Sequence, residues 1–235
     1  MDVGRSFSFV VDDKDWAVKI LIAAGILLGG ILFSWLLLIP LILAAALLTG
    51  YALEITRRVI RGDTQLLPEW NDWGALIADG LKVIVISIVY ALPMIAVAVC
   101  VGVPAGLLGE SDSSVAVGLS NLFSGLLTVA SLVWGLFLAF VLPAAIGFFA
   151  DTGDMASAFR FGEVLALVRR NLSTYLVTVL MSWVALIVGG LGKLACGVGW
   201  LATFPYAHMV IGHLTGQAYL VAQGRTAAAA SEPAQ

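Results

Sequence analysis

Uncharged stretches dominate the hydropathy pattern: residues 20–53 run for 34 positions without a charged side chain, and further such runs cover 83–109, 113–150, 171–192 and 194–224. A bilayer core about 30 Å thick is crossed by roughly 20 apolar residues in a helix, so each run can span and several are too long to span only once. The runs are continuous rather than alternating, which fits helices that satisfy their own backbone groups in lipid and not barrel strands. The pattern predicts an all-α, polytopic membrane helix bundle with spans near 17–34, 36–57, 82–107, 121–148, 172–190 and 196–221. It predicts a cytoplasmic N-terminal segment over 1–16, a single integral membrane domain over 17–223 and a disordered tail over 224–235, whose sequence has too little periodic apolar content to dock.

Lysine and arginine are retained in cytoplasmic loops, so their distribution sets the topology. With six spans and both termini inside, Arg5, Lys14, Lys19, Arg57, Arg58, Arg61, Lys82, Arg160, Arg169, Arg170 and Arg225 are cytoplasmic, and only Lys193 is outside. A single crossing of the first run would carry Arg5, Lys14 and Lys19 to the outside as well. A hairpin in that run is therefore favoured. Gly29, Gly30, Ser34 and Pro40 offer its turn, and an unbroken helix of 34 residues would measure about 51 Å, well beyond the hydrocarbon thickness.

Two cytoplasmic connections carry helical periodicity and predict amphipathic helices lying in the interface. Over 70–82, Trp73, Leu76, Ile77, Leu81 and Ile84 recur at helical spacing, with Trp16, Trp70 and Trp73 suited to the headgroup level. Over 154–171, Phe161, Val164, Leu165 and Val168 form a stripe opposite Arg160, Glu163 and Arg170, with Asp154 placed to cap the start. The external turns, at 109–114 and 189–193, are short.

Composition agrees with a membrane protein. Mean hydropathy is +1.03, and 11% of residues are charged against about 25% in soluble chains. The net charge of −3, with dispersed cations, offers no face for nucleic acid. The acidic N-terminus, with Asp2, Asp12, Asp13 and Asp15, does not read as a cleavable signal peptide. Cys100 and Cys196 both lie in apolar runs and read as packing residues rather than a disulfide.

The residues with chemistry are few. Glu54 stands three and four positions before Arg57 and Arg58, which makes an intrahelical ion pair available. Arg61, Pro68, Glu69, Trp70, Asp72, Trp73 and Asp79 follow closely. Pro68 ends any continuation of the helix, and Asn71 or Asp72 can cap the next, which makes the segment an architectural elbow. The alternative is a cytoplasmic mouth in which Arg57, Arg58 and Arg61 face Glu69, Asp72 and Asp79 and admit an ion or an anionic headgroup. No second acid lies deeper in a run. His208 and His213, five apart, leave a helix about 140° from each other and cannot share one metal, so interhelical hydrogen bonding is expected of them. A short echo, Leu48-Thr49-Gly50 against Leu214-Thr215-Gly216, with a proline 10 or 11 residues before each glycine, hints at a repeated hairpin.

The order Gly50-Tyr51, Arg57-Arg58, Arg61-Gly62-Asp63, then Leu67-Pro68-Glu69-Trp70-Asn71-Asp72-Trp73-Gly74 and Asp79-Gly80-Leu81-Lys82 resembles the prokaryotic membrane family known as domain of unknown function 4013. The stretches from Ala158 to Glu163 and from Pro205 to Tyr219 also resemble it. The resemblance implies a multi-span protein in the cell (plasma) membrane of a bacterium or archaeon. It brings no activity, substrate or catalytic residue. The expectation is a non-enzymatic accessory or scaffold module without a cofactor, whose partners are the lipid bilayer and other membrane subunits. The alternative is a transporter or channel for a small or amphiphilic solute.

Overall fold

The computed structural model describes residues 1–194 and 198–225. Its helices are α1 (Val3–Ser8), α2 (Trp16–Leu32), α3 (Ile39–Arg61), α4 (Trp73–Val97), α5 (Val103–Gly109), α6 (Ser114–Thr152), α7 (Phe161–Arg170), α8 (Leu172–Leu191) and α9 (Trp200–Ala222). Among the described residues, four helical stretches are long and apolar enough to cross a membrane: Ile39–Arg61, Trp73–Gly109, Ser114–Thr152 and Leu172–Leu194. The chain is thus all-helical with membrane-spanning character. Helix α2 is a shorter apolar helix of 17 residues.

The first apolar run is broken into α2 and α3, as a hairpin requires, but not at its glycines. Gly30 stays inside α2, where an added Cβ would meet the Cβ of Ala44 at 2.6 Å and the carbonyl of Pro40 at 3.1 Å. The glycine thus serves the crossing of the two arms. The turn falls at 33–38, where Leu37 and Leu38 take the left-handed conformation (φ 53° and 61°), and Pro40 occupies the first turn of α3.

Two compact units emerge, 1–86 with 143–235, and 87–142. In the larger unit the close approaches fix relative helix directions. Added Cβ atoms at Gly212 and Gly216 would meet the carbonyls of Ala52 and Thr56. Both members of the pair rise by four residues, so α9 and α3 run parallel. Gly50 faces Leu76 while Gly80 faces Ala46, so α3 and α4 run antiparallel, and Gly189 against Ala207 marks an antiparallel α8–α9 hairpin. The two echoed glycines therefore do similar work, each admitting a neighbouring helix. The core of this unit includes Tyr51, Ile55, Phe149, Tyr175, Val210 and Leu214, all fully or almost fully buried.

The smaller unit is a helical hairpin. Pro93 lies within α4, which passes through a π-helical segment at Ala98–Gly102 into α5. Gly102 faces Leu127, and the Trp134 indole donates to the Tyr90 carbonyl at 3.3 Å. Cys100 is a free, exposed thiol here, while Cys196 and the tail from residue 226 lie outside the described residues.

The patterned connections fared differently. Residues 73–82 are not a helix of their own: Asp72 Oδ1 accepts from the Ala75 amide at 3.0 Å, and the helix started there continues through Lys82 to Val97. No strong breaker intervenes, and Gly80 is where α3 crosses. Residues 161–170 do form a separate helix, α7, with Val164 and Val168 buried and Arg169 and Arg170 exposed. Asp154 caps the preceding 3-10 turn (Met155–Phe159) rather than α7, accepting from the Ala156 amide at 3.0 Å.

Candidate functional site

The end of α3, the loop over 63–72 and the start of α4 form one interlocked elbow. Helix α3 stops at Gly62 (φ 77°), where the amide of Asp63 returns to the Arg58 carbonyl at 3.0 Å, the glycine supplying a conformation that side chains disfavour. The loop then folds back onto the helix it left. Tyr51 donates its hydroxyl to the Pro68 carbonyl at 2.9 Å, and its ring stacks on Trp70. Trp70 is 9% exposed and donates to the Lys19 carbonyl at 3.3 Å. It is an internal strut and not the headgroup anchor that its sequence position predicts. Trp73, 44% exposed, donates to the Trp70 carbonyl at 2.8 Å.

The charges close on one another. Glu54 accepts from Arg61 Nη2 at 2.9 Å and Arg58 Nε at 3.3 Å, with Arg57 Nη1 at 3.7 Å. Arg57 also pairs with Asp79, which takes Lys82 at 2.8 Å. Arg58 reaches the carbonyls of Gln65 and Leu67. Arg57 and Lys82 lie over the Phe149 ring. Glu54, Arg57, Arg58 and Asp79, with Pro68, Glu69 and Asp72, line a cavity of about 320 Å³.

Of the facing arrangement expected from sequence, Arg57, Arg58, Glu69, Asp72 and Asp79 line one cavity, and Arg57 and Asp79 pair directly. Arg58 and Arg61 turn to Glu54, Asp72 caps α4, and Glu69 pairs with Lys19 at 2.7 Å. Lys19, which sequence reasoning counted only as a cytoplasmic cation, is 2% exposed and central: it also bonds Asp13 at 2.9 Å and the Leu67 carbonyl at 3.3 Å. A lysine one turn inside an apolar helix needs a partner, and that signal was present in the sequence. Burial would raise the Asp13 carboxyl, but the bonds from Lys19 and the Asp15 amide, with the charge of Lys19, outweigh it and hold the group below the usual carboxylate range.

A second cluster joins the N-terminus to α9. Ser6 and His213 Nδ1 are 2.9 Å apart, Phe9 stacks on His213 with centroids 4.5 Å apart, and Tyr206 donates to the Phe7 carbonyl at 2.6 Å. The Asp2 amide and carbonyl both bond the Gln217 side chain. His213 thus bonds another segment, as expected, whereas His208 bonds its own helix at the Phe204 carbonyl. Residues 1–10 hold the apolar Met1, Val3, Phe7, Phe9 and Val10 among polar residues, a stretch too short for sequence periodicity to show that it docks.

Among the described residues no group of three or more His, Cys, Asp or Glu is placed to hold a metal ion. A family model described as "Protein of unknown function (DUF4013)" matches residues 20–198. No curated protein and no solved structure matches the chain.

Proposed function

The chain belongs to this family of proteins of unknown function, and on that premise we propose that it is a non-enzymatic accessory or scaffold module of a prokaryotic plasma membrane, acting through membrane partners or lipids. The observation that carries the reading is the closure of the elbow. Glu54, Glu69 and Asp79 each hold a cation, and Asp72 holds a backbone amide. Groups so engaged fix a shape rather than wait for an ion.

In this reading α2 and α9 complete six spans with both termini cytoplasmic. Contacts within the larger unit support it, since they gather the ends that the model of topology places inside. Lys19 at the start of α2 meets Glu69; Arg57 on α3 meets Asp79 on α4; Asn171 before α8 meets the Ala222 carbonyl at 3.2 Å; Asp151 at the end of α6 meets Arg225 at 3.1 Å. Lys193, the cation assigned to the outside, sits instead near Trp200 at the other end of α8 and α9. The exposed apolar faces of the spans then contact lipid or partner helices.

Extraction in mild detergent followed by mass spectrometry tests the proposal. Stoichiometric copurifying membrane subunits, lost on elbow disruption, are expected. A chain that purifies alone from its native membrane, and whose deletion phenotype tracks solute uptake, would replace the module by a transporter. The two hairpins with parallel inner helices α3 and α9 are the observation favouring that second reading.

A further inference from the structure

We propose that the cavity enclosed by α1, the ends of α3 and α9 and the loop at 63–66 is a binding site for an anionic amphiphile, a molecule with a carboxylate or phosphate head and an alkyl chain. The cavity measures about 350 Å³, within the range of small-molecule sites. Val59, Leu66, Leu220 and Val221 give it an apolar floor. Its wall is built, not incidental: α1 is held in place by the Ser6–His213 bond and the double bond between Asp2 and Gln217.

Charge decides the head group. Four ionisable side chains besides His213 line the cavity, and three are already engaged: Asp63 with Arg61 at 3.2 Å, Arg225 with Asp151 at 3.1 Å, and Asp2 with the Arg5 amide at 3.0 Å. The Arg5 guanidinium has no carboxylate within ion-pair distance among the described residues. Beside it His213, 2% exposed, uses Nδ1 for Ser6, and its Nε2 has no hydrogen-bond partner among the described residues. A guanidinium above an apolar floor matches an acid head on an alkyl tail, and His213 adds a donor at Nε2 in the tautomer whose Nδ1 accepts from Ser6. The inference stands apart from the accessory reading, which copurification tests by itself.

The test uses the full chain in phosphatidylcholine nanodiscs with two photoreactive probes: palmitic acid carrying a diazirine, and phosphatidylglycerol carrying the same group in one acyl chain. Crosslinks are located by mass spectrometry. Labelling of the peptides that hold Val59 or Leu220 and Val221, competed by excess unlabelled palmitate or phosphatidylglycerol, is expected. The probe that labels tells a free fatty acid from a phospholipid. Arg5→Gln should lower this labelling about tenfold, while Arg160→Gln, at an exposed cation that pairs with Glu163 and does not line the cavity, leaves it unchanged. Labelling of lipid-facing helices in the same sample reports correct reconstitution for every variant. Pocket peptides that label no more than lipid-facing ones, that resist competition, or that label equally in Arg5→Gln would overturn the proposal.

Discussion

The ring of Tyr51 lies against that of Trp70 with centroids 4.3 Å apart and planes 17° from parallel. One residue in the middle of α3 thereby holds a loop that begins a full helical turn or more beyond it. The hydroxyl of the same tyrosine binds the Pro68 carbonyl, so stacking and hydrogen bonding fix the loop in two directions. Stacked aromatic pairs contribute about 0.5–1.5 kcal/mol beyond the area they bury.

Trp70→Ala should therefore destabilise the fold by about 3–5 kcal/mol, and Tyr51→Phe by about 1 kcal/mol through the lost hydrogen bond. Trp16→Ala, at a residue 39% exposed, should cost far less. Folded yield and thermal unfolding in one detergent would check the order. Equal, wild-type behaviour of Trp70→Ala and Trp16→Ala would show that the elbow is not architectural.

Glu54 serves three arginines, one more than the i,i+3 and i,i+4 partners its spacing offers. Glu54→Gln is expected to cost about 1 kcal/mol and to leave partner copurification and phenotype rescue intact. Loss of rescue at normal expression and unchanged stability would instead place an ion or proton at this acid.

Helix crossings should reveal themselves through glycines. An added methyl at Gly50 or Gly80 would run into the backbone of the facing helix, at Leu76 and Ala46. Gly50→Ala and Gly80→Ala should each destabilise by about 1–3 kcal/mol, whereas Gly118→Ala and Gly125→Ala, which meet nothing within 4 Å, should be tolerated. Thermal unfolding of the four variants is the measurement, and a uniform response would contradict the packing described.

Topology is open to cysteine labelling in a Cys100→Ala, Cys196→Ala background. Single cysteines replacing Asp112 and Lys193 should react with an impermeant reagent from outside, and those replacing Arg5, Arg58 and Arg170 only after permeabilisation. Reaction at position 5 in intact cells would eliminate the six-span arrangement.

Acid should loosen the N-terminal connection. The Asp13 carboxyl is held below its usual range in the folded chain, so its contribution is present above about pH 4, the unfolded value, and is lost as pH falls through the lower folded value. Proteolysis of residues 9–16 should increase as pH falls below about 4, and Asp13→Asn should show the loosened state at neutral pH. A cleavage rate in Asp13→Asn equal to wild type at pH 7 would remove Asp13 from this role.

Sequence by itself determined the helical membrane class, the break in the first run and a cap at Asn71 or Asp72, because each depends on neighbours a few residues away: uncharged length, turn residues within an apolar stretch, a side-chain acceptor before free amides. It also gave the family. Tertiary structure alone decided which charges far apart in sequence meet. Lys19 and Glu69, 50 positions apart in sequence, form a pair that no local spacing encodes, as do Arg57 and Asp79, whereas the Glu54 pairs with Arg57 and Arg58 follow helical spacing. The docking of α1 on His213, across more than 200 residues, and the conversion of Trp70 from a surface anchor to an internal strut have the same origin: a partner that exists only after the helices pack. Periodicity records which face of an element is apolar, whereas the identity of its neighbour is set by packing across the whole bundle.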